Sequence, residues 1–279
     1  MNAVRRTDPA YPRALEALRQ APEPLWVDGD AAWLGNRCVA IVGTRRMTPY
    51  GERVTRDLAI ALARSGAVLV SGLAQGIDCV AHTAALDAGG ASVAVLGEGI
   101  TSFLANARGR RRRLAMALRS CGALVSPYEP LLPARGWMFA RRNGIIAALA
   151  HAVVVTEAPI GSGALITAAD AIRLGRPLFA VPGPLGARAA EGTNALIASG
   201  AARACIGADA VAETVGLVGR ATAASRDDPV LDALAAGPAD LDALARRLRL
   251  ERGALRTRLV ALVLSGAVAD LGDGRYRRA

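Results

Sequence analysis

No lysine occurs among the 279 residues, so all 34 positive side chains are arginine. With 24 acidic residues the formal net charge is +10. That excess favours polyanionic partners and says nothing about fold. Alanine richness and missing lysine share one compositional bias, so the placement of the arginines carries more weight than their number. The four cysteines, Cys38, Cys79, Cys121 and Cys205, stand far apart with no CxxC and no histidine pair nearby. A zinc site and a disulfide framework are therefore not indicated, and no metal is expected. Arg, Gly or Pro interrupts every long apolar run, so no segment is expected to span a membrane. The amino-terminal MNAVRRTDPAYPRAL lacks the apolar stretch of a signal peptide, and the cytoplasm is the expected location.

Two nucleotide signatures are missing as well. The first strand-turn-helix stretch, RCVAIVGTRRMTPYG, has no GxGxxG, and the second strand ends in Ser71 rather than a ribose-binding carboxylate. No GxxxxGK[ST] occurs. A dinucleotide oxidoreductase and a P-loop ATPase are both disfavoured, and no cofactor is expected.

What is present is a large apolar fraction, 52%, arranged as short β-rich runs between helical stretches. CVAIVG, AVLVSG, SVAVLG, ALVS, AVVVTEA and PLFAVPG are nearly continuous in apolar character, as strands buried on both faces are. Between the first two, Thr48 and Pro49 start a helix, and Val54, Leu58, Ala61 and Leu62 lie on one stripe of it. The pattern predicts an α/β fold with a mostly parallel sheet flanked by helices. Residues 1–36 read as a short helical lead-in, 37–218 as the Rossmann-like domain and 219–229 as a polar linker. Residues 230–279 read as three helices and a hairpin, a small winged helix-turn-helix domain.

In such a sheet, ligands gather beyond the carboxyl ends of the strands. Those ends carry Gly43-Thr44-Arg45, Ser71-Gly72, Gly97, Gly161-Ser162-Gly163 and Pro182-Gly183, small residues that let backbone amides approach an anion. Arg45 offers a planar fork suited to phosphate; an ordinary surface arginine or an ion pair is an equal reading. In FARRNGIIAALA, two arginines precede an apolar helix whose dipole they oppose unless an anion offsets them. Phe139 is either a base-stacking platform or a core aromatic. The run Arg108 to Arg113 is either a solvated face or a non-specific phosphate clamp. Asp78 reads as the cap of a helix starting at Cys79, and His82 as a local packing or hydrogen-bonding group. Glu157 is either a general base or the anchor of its loop. Ser162 does not meet the nucleophile-elbow pattern, and no catalytic set assembles.

Taken in order, IVGTRRMTPYG, SGLAQGID with Ala81-His82, FARRNGIIAALA, SGALITA, GRPLFAVPG and EGTNALIASGA resemble the DNA-processing protein A family (DprA, also called Smf) over most of the chain. The resemblance implies an extended Rossmann-like domain that binds single-stranded DNA, forms homodimers and loads the recombinase RecA during natural transformation. It implies DNA contacts at Gly43, Thr44, Arg45, Arg46, Ser71, Gly72, Gly76, Phe139, Arg141, Arg142, Asn143, Ser162, Gly163 and Thr167. Arg110 and Arg111 are added from the arginine run. Arg252 and Arg256 are added from a winged helix that meets either duplex DNA or another protein, with Leu255, Leu259, Leu262 and Val263 turned inward. The sequence departs from the family at TSFLANARGRRRR, where a Tyr-Pro and an Asn are usual, and at Gly144, where FPxRNR has a second basic residue. Two rival readings remain. A LOG-type nucleotide phosphoribohydrolase is echoed by PGPLGARAAEGTN, and a winged-helix transcription regulator by the carboxyl-terminal module.

Overall fold

The computed structural model describes residues 1–217, 228–264 and 266–278. Two compact units divide the chain, Met1–Arg220 and Ala221–Ala279. The expected linker at 219–229 lies outside the described residues except for Asp228 and Pro229.

In the first unit, β3 (Cys38–Val42) leads into α1 (Pro49–Arg64), β4 (Val68–Ser71), α2 (Ile77–Asp87) and β5 (Ser92–Val95). Helices α3 (Ile100–Asn106) and α4 (Gly109–Ser120) then precede β6 (Gly122–Ser126), α5 (Gly136–Leu149), β7 (Ala152–Val155) and α6 (Gly163–Arg173). The unit continues with β8 (Leu178–Ala180), α7 (Glu191–Ala198), β9 (Arg203–Ala204) and α8 (Asp209–Thr214). All six expected strands form, and they pair in parallel in the order β6-β5-β4-β3-β7-β8, with β9 added at the edge.

The amino-terminal lead-in differs from expectation. It contributes β1 (Asn2–Val4) and β2 (Leu25–Gly29), which extend the sheet to nine strands by antiparallel pairing, β2 against β6. Its only helical pieces are 3-10 turns at Arg13–Ala17 and Ala31–Gly35.

Successive residues of the central strands enter opposite cores. Val39 and Ile41 of β3 pack with Leu58 and Leu62 of α1 and with Ala81 and Ala84 of α2. Cys38, Ala40 and Val42 pack on the other face with Ile145 and Ile146 of α5 and with Ala168 of α6. This double burial is why each strand is apolar throughout. The buried stripe of α1 is Thr55, Leu58, Ala59 and Leu62, rotated from the expected one, with Val54 and Ala61 half-buried. Thr48 caps α1, with Pro49 at its first position, as expected.

The carboxyl-terminal unit holds α9 (Pro229–Ala235), β10 (Ala239–Asp240), α10 (Leu241–Leu248), α11 (Arg252–Leu264), β11 (Val268–Asp270) and β12 (Arg275–Arg278). Its three strands pair in the order β10-β12-β11. Leu255, Leu259 and Leu262 are buried with Leu231, Leu234 and Leu244, and Val263 is half-buried beside them. The short β10 completes a winged-helix domain.

Candidate functional site

Chain order reverses in the sheet at β3, with β4 to one side and β7 to the other. The crevice beyond their carboxyl ends is where a doubly wound sheet offers a ligand site. Glu157, at the end of β7, shapes it. Its carbonyl accepts from Thr44 N–H at 2.7 Å, and its carboxylate accepts from Thr48 N–H at 2.9 Å and Thr48 Oγ1 at 2.5 Å. The Thr48 hydroxyl in turn accepts from Gly51 N–H at 3.1 Å. A Cβ on Gly51 would collide with that carboxylate. The buried charge sits at the N-terminus of α1, where the helix dipole favours it. Glu157 is thus the anchor of the Gly43–Met47 turn, which holds Arg45 and Arg46 exposed.

Two buried ions brace the turn from the other side. Arg142 is 5% exposed and donates through Nη1 to Gly72 O at 2.6 Å and Val95 O at 2.5 Å, capping the carboxyl ends of β4 and β5. Gly72 has no room for a side chain, because its Cβ would strike this guanidinium. Asp78 was expected to cap a helix starting at Cys79. Instead α2 begins at Ile77, and the Asp78 carboxylate folds back to accept from Gly72 N–H at 3.0 Å and Ala74 N–H at 3.3 Å. Burial pushes the Asp78 carboxyl up and the Arg142 guanidinium down, and each charge opposes the other's shift. Arg45 and Arg111 add like-charge pressure on Arg142. At Gly76 φ is +89°, and a Cβ there would meet Thr44 O, so this glycine lets the loop before α2 close against the Arg45 turn.

The result is a cleft of about 450 Å³, lined by Gly43, Thr44, Arg45, Arg46, Phe139, Arg142, Asn143, Ser162, Gly163 and Thr167 among others. Phe139 is half-buried, and the Arg45 guanidinium lies 5.9 Å from its ring centroid. Asn143 donates to Gly163 O at 3.1 Å, and Ser162 caps α6, so the start of that helix forms one wall. An adjoining cavity of about 180 Å³ shares Arg45, Phe139 and Arg142, and adds Gly72 and Arg111. Arg111 donates to Leu73 O at 3.0 Å and stacks over Phe103 at 4.9 Å.

Other expected residues lie elsewhere. Ser71 is fully buried and donates to Ile41 O at 2.6 Å, inside the sheet rather than at its rim. Gly76 supports the turn and lines neither cavity. Arg141, next to Arg142 but on another helical face, lines a separate groove. Arg110 is exposed in the first turn of α4. In the other unit, Arg252 is ion-paired with Asp242, and Arg256 lines a hollow that also holds Asp240 and Asp242. The residues that sequence reasoning missed are Asp78 as a loop brace and Ile146, Ile160 and Ile166 as apolar wall.

Both histidines make structural hydrogen bonds. His82 is fully buried with Nδ1 2.7 Å from Ser92 Oγ, and burial, then the Arg142 charge, lower its pKa to about 3. His151 accepts from Cys38 N–H at 3.2 Å and is also lowered, by burial first. Unfolded histidine binds a proton near pH 6.5. Below that pH the unfolded state gains protons that folded His82 refuses until about pH 3, so stability falls with acidification. The slope reaches about 1.4 kcal/mol per pH unit. Urea midpoints measured from pH 7 to pH 4 should decline, and less steeply in His82→Gln.

The family model described as DNA recombination-mediator protein A matches residues 2–216, and the DprA winged helix domain matches residues 219–274. Protein Smf of Escherichia coli is 43% identical over 191 residues, 68% of this chain and 50% of its own. The putative DNA processing protein DprA of Mycobacterium tuberculosis H37Rv is 38% identical over 274 residues, 92% of this chain and 69% of its own. The chain therefore spans half the length of the first relative and about two thirds of the second. Among solved structures, DprA of Streptococcus pneumoniae superposes with a TM-score of 0.71 at 33% identity, covering 76% of this chain and 73% of that one. DNA processing protein A of Helicobacter pylori, solved for its single-stranded DNA binding mode, gives 0.66 at 30% identity over 73% of this chain and 92% of that one. Sequence models covering both units, relatives aligned along them and a shared backbone agree: this chain belongs to the DNA-processing protein A (DprA/Smf) family.

Proposed function

We propose that the chain is a non-catalytic recombination mediator that holds single-stranded DNA in the cleft beyond β3 and β7 and hands it to RecA. One observation carries this reading. Arg45, Arg46 and Arg111 have no carboxylate partner among the described residues, while the carboxylates nearby, Asp78, Glu157 and Glu98, accept from backbone N–H groups, Thr48 and Ser102. The site thus presents net positive charge to its ligand. Phosphates meet the guanidinium groups and the start of α6, and a base stacks on Phe139; such contacts carry little sequence information. Arg142 acts beneath the strand as a positioning group. The Helicobacter pylori relative supports single-stranded DNA as the ligand. Family membership supports a homodimer working in the cytoplasm on DNA taken up in transformation.

Fluorescence anisotropy across a salt series tests this reading. The wild-type chain should bind single strands more tightly than duplex. Arg45→Ala should lower the log–log salt slope by about 0.7, the contribution of one phosphate neutralised on a single strand. An unchanged slope or a duplex preference removes the cleft as the site. Release of free base from a nucleoside monophosphate would favour the phosphoribohydrolase reading instead.

A further inference from the structure

Aromatic residues make up only 4% of the chain, yet Trp137 in the first turn of α5 is 56% exposed. Its ring is held by a T-shaped contact with Tyr128, centroids 5.9 Å apart. Tyr128 is itself buried and donates to Met138 O at 3.2 Å. One helical turn beyond Trp137 stands Arg141, exposed and without a carboxylate partner among the described residues.

Arg141 lines a groove of about 500 Å³ on the far side of α5, next to Arg19, which is also exposed and unpaired among the described residues. The acidic residue there, Asp170, is neutralised by Arg173 at 2.8 Å. Pro127, the neighbour of Tyr128, forms part of the wall, and Trp137 precedes Arg141 by four residues on the same helix. The groove borders the main cleft, since Ala140 and Ile166 line both.

We propose that this groove continues the path of a single strand leaving the cleft, with an unpaired base stacked on Trp137 and backbone phosphates against Arg141 and Arg19. The proposal rests on the single-strand reading of the cleft. A free aromatic face among unpaired cations suits a chain of alternating bases and phosphates. A duplex keeps its bases inside and has nothing to place on Trp137.

The test uses the full chain and thymidylate oligonucleotides of about 4 and about 16 nucleotides. The short one fits the cleft alone, and the long one reaches the groove. Trp137→Ala should weaken the long oligonucleotide by about 5- to 150-fold and leave the short one unchanged. Arg19→Ala with Arg141→Ala should lower the salt slope for the long one alone. Tryptophan emission should be quenched by the long oligonucleotide, and not in Trp137→Ala, which retains Trp26 and Trp33. Variants that bind both lengths like wild type overturn the groove and leave the cleft reading intact, as does equal weakening at both lengths. A wild-type chain that binds neither length overturns both readings. Unfolding midpoints equal to wild type are the folding control, since all three side chains are exposed.

Discussion

Replacing Arg142 with Met should cost about 3–5 kcal/mol of folding stability, the usual penalty for removing one partner from a buried charge pair. Typical domains have about 5–15 kcal/mol in total, so the variant stands near the edge of folding. The loss has three sources. Gly72 O and Val95 O lose their donor. Asp78 keeps its two backbone N–H bonds but loses the nearby positive charge that opposes its burial. A gap opens where Gly72 was built without a side chain to admit the guanidinium. Arg142→Lys should recover little, because one ammonium cannot reproduce a rigid planar fork. Urea unfolding of the wild type and both variants checks this. A Met variant within about 1 kcal/mol of wild type, inside the ordinary range for surface changes, would show that the guanidinium braces nothing.

Glu157→Ala should produce the second largest effect, and of a different kind. Hydrogen bonds to a charged group contribute about 1.5–3 kcal/mol each, and this carboxylate accepts two from Thr48. A loss of about 2–4 kcal/mol is expected after water reaches the freed donors. Removing a negative charge from a cationic site would, on electrostatics alone, tighten DNA binding. Because the carboxylate fixes the turn that carries Arg45, the opposite is expected: Kd for single-stranded DNA rises about tenfold, equivalent to about 1.4 kcal/mol. The salt slope stays as in wild type, since every cation remains. Glu157→Gln should fall between, because an amide oxygen can replace one acceptor but its NH2 group faces a donor. Tighter binding in Glu157→Ala would mean that the turn holds its shape unaided.

These residues also show what was legible in the sequence. Six parallel strands were readable because burial on both faces makes each an unbroken apolar run. The winged helix was readable because one stripe of α11 is apolar. Strand β2 was not: LWVDG follows a proline-rich stretch, and Asp28 within it is balanced by Arg119 at 3.0 Å, a partner over ninety residues away. At the site, the Arg45 turn was visible from its place after a strand. The different roles of Arg141 and Arg142 were not. Helix α5 is buried over most of its later turns, so no apolar stripe sets its phase. Only tertiary packing decides which neighbouring arginine turns inward. Asp78 misled for a related reason. A carboxylate at a helix start is a good cap by local rules, but here the loop before the helix curls back to claim it.

The sheet order has a consequence for the chain as it is made. Strand β2 pairs with β6, Val27 against Val125, roughly a hundred residues later. At about 5–20 residues per second on the ribosome, Leu25 and Val27 emerge about 5–20 s before their partner strand is synthesised. Through that interval an apolar segment with open backbone donors is available to any neighbouring nascent chain. The parallel core from β3 to β5 has time to assemble first, and the antiparallel edge can close once β6 emerges, before β7 to β9 are made.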